Sequence, residues 1–73
     1  MDKAKFLVEL EDVLQREEPC APDDVLENYS EWDSLSKMAI MAFFDHKFGV
    51  KMSLEDVRKL QTVNDLITKA GIK

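Results

Sequence analysis

Only one cysteine and one histidine occur in these 73 residues. Cys20 therefore has no partner for an internal disulfide, and the chain lacks the several Cys and His that a metal site normally gathers. Packing alone must hold the fold. Asp23, Asp24 and Glu27 do not match the spacing of a calcium loop with its central glycine. No apolar run approaches the roughly 20 residues that span a bilayer, and Met1-Asp2-Lys3-Ala4-Lys5 lacks the hydrophobic core of a secretory signal. The expected location is the cytoplasm. Internal repeats, low-complexity tracts, linkers and strand-like alternation are absent as well, which leaves an all-α domain as the expectation.

Size and charge narrow the class further. A chain of this length is one domain, residues 1–73, and buries only about 60% of its unfolded surface, so a deep catalytic cleft is not expected. Fifteen Asp and Glu against ten Lys and Arg give a formal charge of -5 and a pI near 4.7. That balance disfavours nucleic acid and anionic membranes and favours basic protein partners.

The apolar positions select helices. Phe6, Leu7, Leu10, Val13 and Leu14 recur at three- and four-residue spacing, with Glu9, Glu11, Asp12 and Arg16 largely on the other side, and predict a first helix near 3 to 16. From Glu17 to Asp33 the periodicity fails. Pro19 and Pro22 flank Cys20-Ala21, and a loop this long needs anchors, for which Val25, Leu26 and Trp32 are the candidates. Helix two is expected from Leu35 to about Phe48, with Asp33 or Ser34 as its N-cap and Gly49 just past its end. Every residue from Met38 to Phe44 is apolar, which predicts a central helix buried on most sides. Ser53 with Asp56 and Thr62 with Asp65 resemble capping boxes, and place a short helix near 54 to 60 and a last one near 63 to 70, with Gly71 closing the chain. The result is a small four-helix bundle, three main helices plus one short.

Ser34 is the residue to explain, a hydroxyl at the threshold of the hydrophobic helix in a chain with no other plausible reactive centre. By its setting it reads as an N-cap. A hydrolase would need a base within hydrogen-bond reach, and the only histidine, His46, lies twelve residues along the same helix, about 18 Å away. Abundant carboxylates form a solvated face rather than a pair at an apolar pocket. No enzyme and no metal site are expected.

Trp32-Asp33-Ser34-Leu35, the apolar run that follows it to Phe48-Gly49, and the helix order around them resemble the acyl and peptidyl carrier proteins over nearly the whole length. In that family the serine of Asp-Ser-Leu is esterified by 4'-phosphopantetheine. The resemblance implies a bundle of the acyl-carrier type, with Ser34 as the attachment site. It also implies Asp33 beside that site where the modifying enzyme engages, and Leu35 as part core and part docking surface. A first-turn serine suits this role, because a phosphodiester there would lie at the positive end of the helix dipole. The implied function is a stand-alone, monomeric acyl carrier holding its cargo as a thioester, in fatty acid or secondary metabolite biosynthesis. Its implied partners are a phosphopantetheinyl transferase and acyl-loading and acyl-using enzymes. The alternatives are an aminoacyl or peptidyl carrier, and an unmodified helical adaptor between proteins.

Two features bear on cargo and partner. Met38, Met41, Phe43, Phe44, Phe48 and Met52 read as ordinary core, while in the family an acyl chain can slip between helices and methionine packing is adaptable enough to open. Carriers of fatty acid synthesis typically bear acids along the exposed side of helix two. The corresponding stretch here offers Ser36, Lys37, Ala39, His46 and Lys47, with Asp45 the lone acid. The acids stand instead in the preceding loop, at Glu17, Glu18, Asp23, Asp24, Glu27, Glu31 and Asp33, which points to a dedicated pathway and to steering from the loop.

Overall fold

The computed structural model describes residues 1–72, and its helices begin where the sequence supplies caps. Helix α1 (Lys3–Leu14) starts behind Asp2, whose carboxylate accepts the Lys5 N–H at 2.8 Å. It ends through a paired closure: Gln15 adopts the left-handed region at φ 55°, its N–H donates to the Asp12 carbonyl, and the Arg16 N–H donates to the Glu11 carbonyl at 2.8 Å. This turn bends the chain back and delivers Arg16 toward the loop.

Helices α2 (Ser34–Phe48), α3 (Leu54–Arg58) and α4 (Val63–Lys69) each open with a reciprocal capping box. Those of α3 and α4 are the expected Ser53–Asp56 and Thr62–Asp65 pairs. That of α2 is Asp33–Ser36, which the sequence reading did not separate from a cap by Ser34. Gly49, at φ 65°, ends α2 in the left-handed conformation that a glycine adopts without strain. Among the described residues there is no β-strand, and no helix is long and apolar enough to cross a membrane. The architecture is a small all-α bundle of four helices.

One core joins all four. Phe6, Leu10 and Leu14 of α1 face Ile40 and Phe44 of α2, and Val57, Val63, Leu66 and Ile67 close it from α3 and α4. Phe6 meets Phe43, Phe44 and Phe48 at ring-centroid separations of 6.1, 6.1 and 6.0 Å, so aromatic rings fill the space between α1 and α2. Lys47 and Glu9 add an ion pair at 3.6 Å across the same two helices.

The segment from Gln15 to Asp33 contains one 3₁₀ turn, Leu26–Asn28, and is held at both the side chains and the backbone. Cys20, Leu26, Tyr29 and Trp32 are buried in the common core. The Leu26 N–H donates to the Gln61 carbonyl at 2.8 Å, the Val63 N–H to Asp24 at 3.0 Å and the Asn64 N–H to Pro22 at 2.9 Å, stitching the loop to the start of α4. Val25 corrects the expectation of an anchor: the residue is 41% exposed, and it takes part through its backbone, in an isolated bridge to Thr62.

Helix α2 is also less buried than its composition suggests. An unbroken apolar run still has a solvent side when only one helix, α1, packs along it and the shorter α3 covers part of the rest. Met38 is 60% exposed and Ala42 is exposed, while Met41 and Phe43 are half-buried. Replacing Leu26 by Ala is expected to cost about 2–5 kcal/mol, and replacing Val25 by Ala less than about 0.5 kcal/mol. Urea unfolding of the two variants checks the assignment, and comparable losses would contradict it.

Candidate functional site

The backbone geometry at the start of α2 assigns different tasks to neighbouring residues. Asp33 is the N-cap: its carboxylate accepts the Ser36 N–H at 2.9 Å. Ser36 answers from the third helical position, where its Oγ accepts the Asp33 N–H at 2.9 Å and donates to the Asp33 carbonyl at 3.0 Å. The hydroxyl that caps is therefore that of Ser36, which is buried, and not that of Ser34. The place of Ser36 on the exposed side of the helix, expected from sequence, is corrected accordingly. The signal was present, since Asp33 and Ser36 have the same spacing as the two capping boxes read downstream.

Ser34 occupies the first helical position and faces solvent, and among the described residues its hydroxyl makes no hydrogen bond. The N–H groups of Ser34 and Leu35 likewise find no acceptor there, as first-turn donors do unless a cap or ligand meets them. Leu35 is 77% exposed and contributes to the surface rather than to the core, a correction to the expected double role. With Met38 one turn on, it forms an apolar pair beside the serine.

A groove of about 350 Å³ runs past Leu35 between the end of α1 and the first turns of α2, lined by Val13, Leu14, Glu31, Asp33, Leu35 and Ala39 among others. Lys37 lies 5.8 Å from the centroid of the buried Trp32 ring, so its charge leans back toward the loop. His46 is exposed near the opposite end of α2.

The acidic loop is partly neutralised from within. Arg16, whose side chain is only 12% exposed, donates to Glu31 at 2.8 Å and approaches Glu18 at 3.4 Å, with its guanidinium stacked 3.8 Å from the centroid of Tyr29. The Tyr29 hydroxyl donates to Asp24 at 2.6 Å, and the Ala21 N–H donates to the same carboxylate at 3.1 Å. Asp24, Glu31 and Asp33 are thus engaged in the fold. Glu17, Asp23 and Glu27 remain exposed without such partners.

Compared with protein-family models, with curated proteins and with solved structures, the chain gives no match. The functional reading rests on residues and geometry.

Ser34→Ala is expected to change stability by less than about 0.5 kcal/mol, and Ser36→Ala to lower it by about 1 kcal/mol or more, since only the second breaks a cap. Equal losses in thermal or urea unfolding would contradict the division of roles.

Acid should loosen the whole arrangement. The Tyr29 hydroxyl, followed by the Ala21 N–H, holds the Asp24 carboxyl below its ordinary value of 3.8. Glu31 is held below its ordinary 4.5 by its own backbone N–H and then by Arg16. Asp56 and Asp65 are lowered by backbone N–H groups of Ser53 and of Gln61 and Thr62. Each has a lower pKa folded than unfolded, so its stabilisation is present above the unfolded value and is lost as pH falls through the folded one. Urea midpoints should be level from about pH 7 to 5 and fall steadily below about pH 4. A midpoint that rises on acidification in that range would contradict the assignment.

Proposed function

We propose that this chain is a carrier protein that holds an acyl group as a thioester on 4'-phosphopantetheine esterified to Ser34, serving a dedicated biosynthetic pathway. The observation that carries the reading is the division of labour at the head of α2. A hydroxyl that served as the cap would be tied into the helix, whereas Ser34 is exposed and unbonded and Ser36 and Asp33 do the capping.

The residues fit the group. Free N–H groups of Ser34 and Leu35 and the positive end of a 15-residue helix favour a phosphodiester at this position, and the Asp33 carboxylate already has its own donor. The group, when bound, supplies the thiol on which cargo is carried. The protein supplies attachment, reach and recognition. In this reading the chain catalyses nothing itself. A phosphopantetheinyl transferase and acyl-loading and acyl-using enzymes, proteins of the cytoplasm, are its partners.

Two observations refine the cargo and the docking. The four phenylalanine rings packed between α1 and α2 occupy the space a long acyl chain would need there, which favours short acyl or aminoacyl cargo held outside. The exposed Leu35 and Met38 and the absence of acids from Ser34 to Phe44 favour docking through apolar contact on α2, with charge steering from the loop. The same apolar pair would equally serve an unmodified adaptor, and that is the second reading.

Co-expression with a phosphopantetheinyl transferase, followed by intact mass measurement, separates the two. The expected result is the addition of one phosphopantetheinyl group to the wild type and to Ser36→Ala, and none to Ser34→Ala. An unchanged wild-type mass under conditions that modify a control carrier would favour the adaptor, and modification of Ser34→Ala would remove Ser34 from the site.

A further inference from the structure

The residues just before Ser34 are fixed by a side chain from the opposite end of the same loop, next to the turn that closes α1. Arg16 leaves the closing turn of α1 and reaches two of the five residues that precede the serine, stacking on the ring of Tyr29 and donating to the carboxylate of Glu31 at 2.8 Å. Behind it, Tyr29 is tied to Asp24, and Asp24 to the Ala21 N–H. Ahead of it, the Glu31 carbonyl accepts the Asp33 N–H at 3.0 Å, the same N–H that Ser36 engages. An unbroken set of contacts therefore runs from the end of α1 through Arg16, Glu31 and Asp33 to the first turn of α2. No lysine or arginine lies between Glu17 and Asp33, so the loop has no cation of its own to take over the task.

We infer that Arg16 is a positioning residue for Ser34, a clamp that keeps the Tyr29–Asp33 segment in the one conformation in which the serine is presented to a modifying enzyme. This rests on the carrier reading of Ser34. The planar guanidinium is what the site uses: it stacks on an aromatic face and offers a directed donor to a carboxylate at once, while a lysine ammonium keeps the charge and loses the stacking plane. The clamp touches no reacting atom and acts only on the population of the competent conformer. When only a fraction of molecules is competent, apparent affinity falls by that fraction and the rate at saturation stays the same.

The test is steady-state modification by a phosphopantetheinyl transferase with coenzyme A, using Arg16→Met, Arg16→Lys and Glu31→Gln, with Lys47→Met as a control that removes the Lys47–Glu9 ion pair between α1 and α2. Arg16→Met should raise KM for the carrier about tenfold with kcat within twofold of wild type. Arg16→Lys should not restore it, and Glu31→Gln, which leaves the Tyr29 stack in place, should raise KM less. Lys47→Met should leave both constants unchanged. Amide exchange at Trp32, Asp33 and Ser36 should quicken in the Arg16 variants and not in Lys47→Met, a readout that needs no modification. A KM within twofold of wild type for Arg16→Met, restoration by lysine, or a fall in kcat at constant KM overturns the inference. Should Arg16→Met fail to fold, Glu31→Gln decides by the same two readouts, and unchanged KM and exchange there overturn it. A wild type that is not modified at all counts against the carrier reading, while the exchange comparison still decides whether the clamp orders this segment.

Discussion

The stretch between α1 and α2 has to be ordered without an internal disulfide or a helix of useful length, and the rest of the molecule depends on that ordering. Fixing each backbone residue costs on the order of 1–2 kcal/mol, and a small domain has little surplus to offset it. The chain meets this by sending four side chains, Cys20, Leu26, Tyr29 and Trp32, from the loop into the same core that the helices use. Backbone hydrogen bonds to Gln61, Val63 and Asn64 then give the segment a second attachment at the start of α4. A loop held at α1 through Arg16 and at α4 through its backbone is a structural layer in its own right, and it decides where α2 begins.

That starting point is where sequence, packing and chemistry meet. Asp33 and Ser36 satisfy each other, and because they do, Ser34, which lies between them in the chain, is relieved of capping. Ser34 is free because its neighbours are not. The same logic gives α2 its two faces: Ile40 and Phe44 look into the core with Ser36 above them, and Leu35, Met38 and Ala42 look out. An apolar run with so little segregation by type is sorted into faces only by what packs on it, chiefly α1.

Helix positions were legible because they are written in short local codes. Ser53 and Thr62 stand at caps, Gly49 adopts positive φ just past α2, and the period of Phe6, Leu10 and Leu14 needs no tertiary knowledge to detect. The solvent side of α2 was not legible, because Leu35 and Met38 differ from buried apolar residues only in having nothing opposite them. Nor was the partnership of Arg16 with Tyr29 and Glu31, whose members lie 13 and 15 residues apart and are brought together by a left-handed turn at a glutamine. Glycine is the usual residue at such a turn, so nothing local announced it. Ser34 itself was legible as a candidate, yet its freedom from the cap emerges only once Asp33 is seen to hold that place with Ser36 answering it.

The charge distribution follows from the same contacts. Read along the chain, the acids from Glu17 to Asp33 form one unrelieved negative run, but the fold assigns them different surroundings. Glu31 and Asp33, those nearest Ser34 in sequence, are met by the Arg16 guanidinium and by the Ser36 N–H. Glu17, Asp23 and Glu27, farther along the loop, stay bare. An anion attached to Ser34 would therefore meet unpaired first-turn N–H groups and the positive end of α2, beside carboxylates whose repulsion is already partly compensated. The exposed acids lie earlier in the loop than Glu31 and Asp33. There they can attract a basic partner over the roughly 8–10 Å that charge carries at ordinary salt without burdening the attachment point itself.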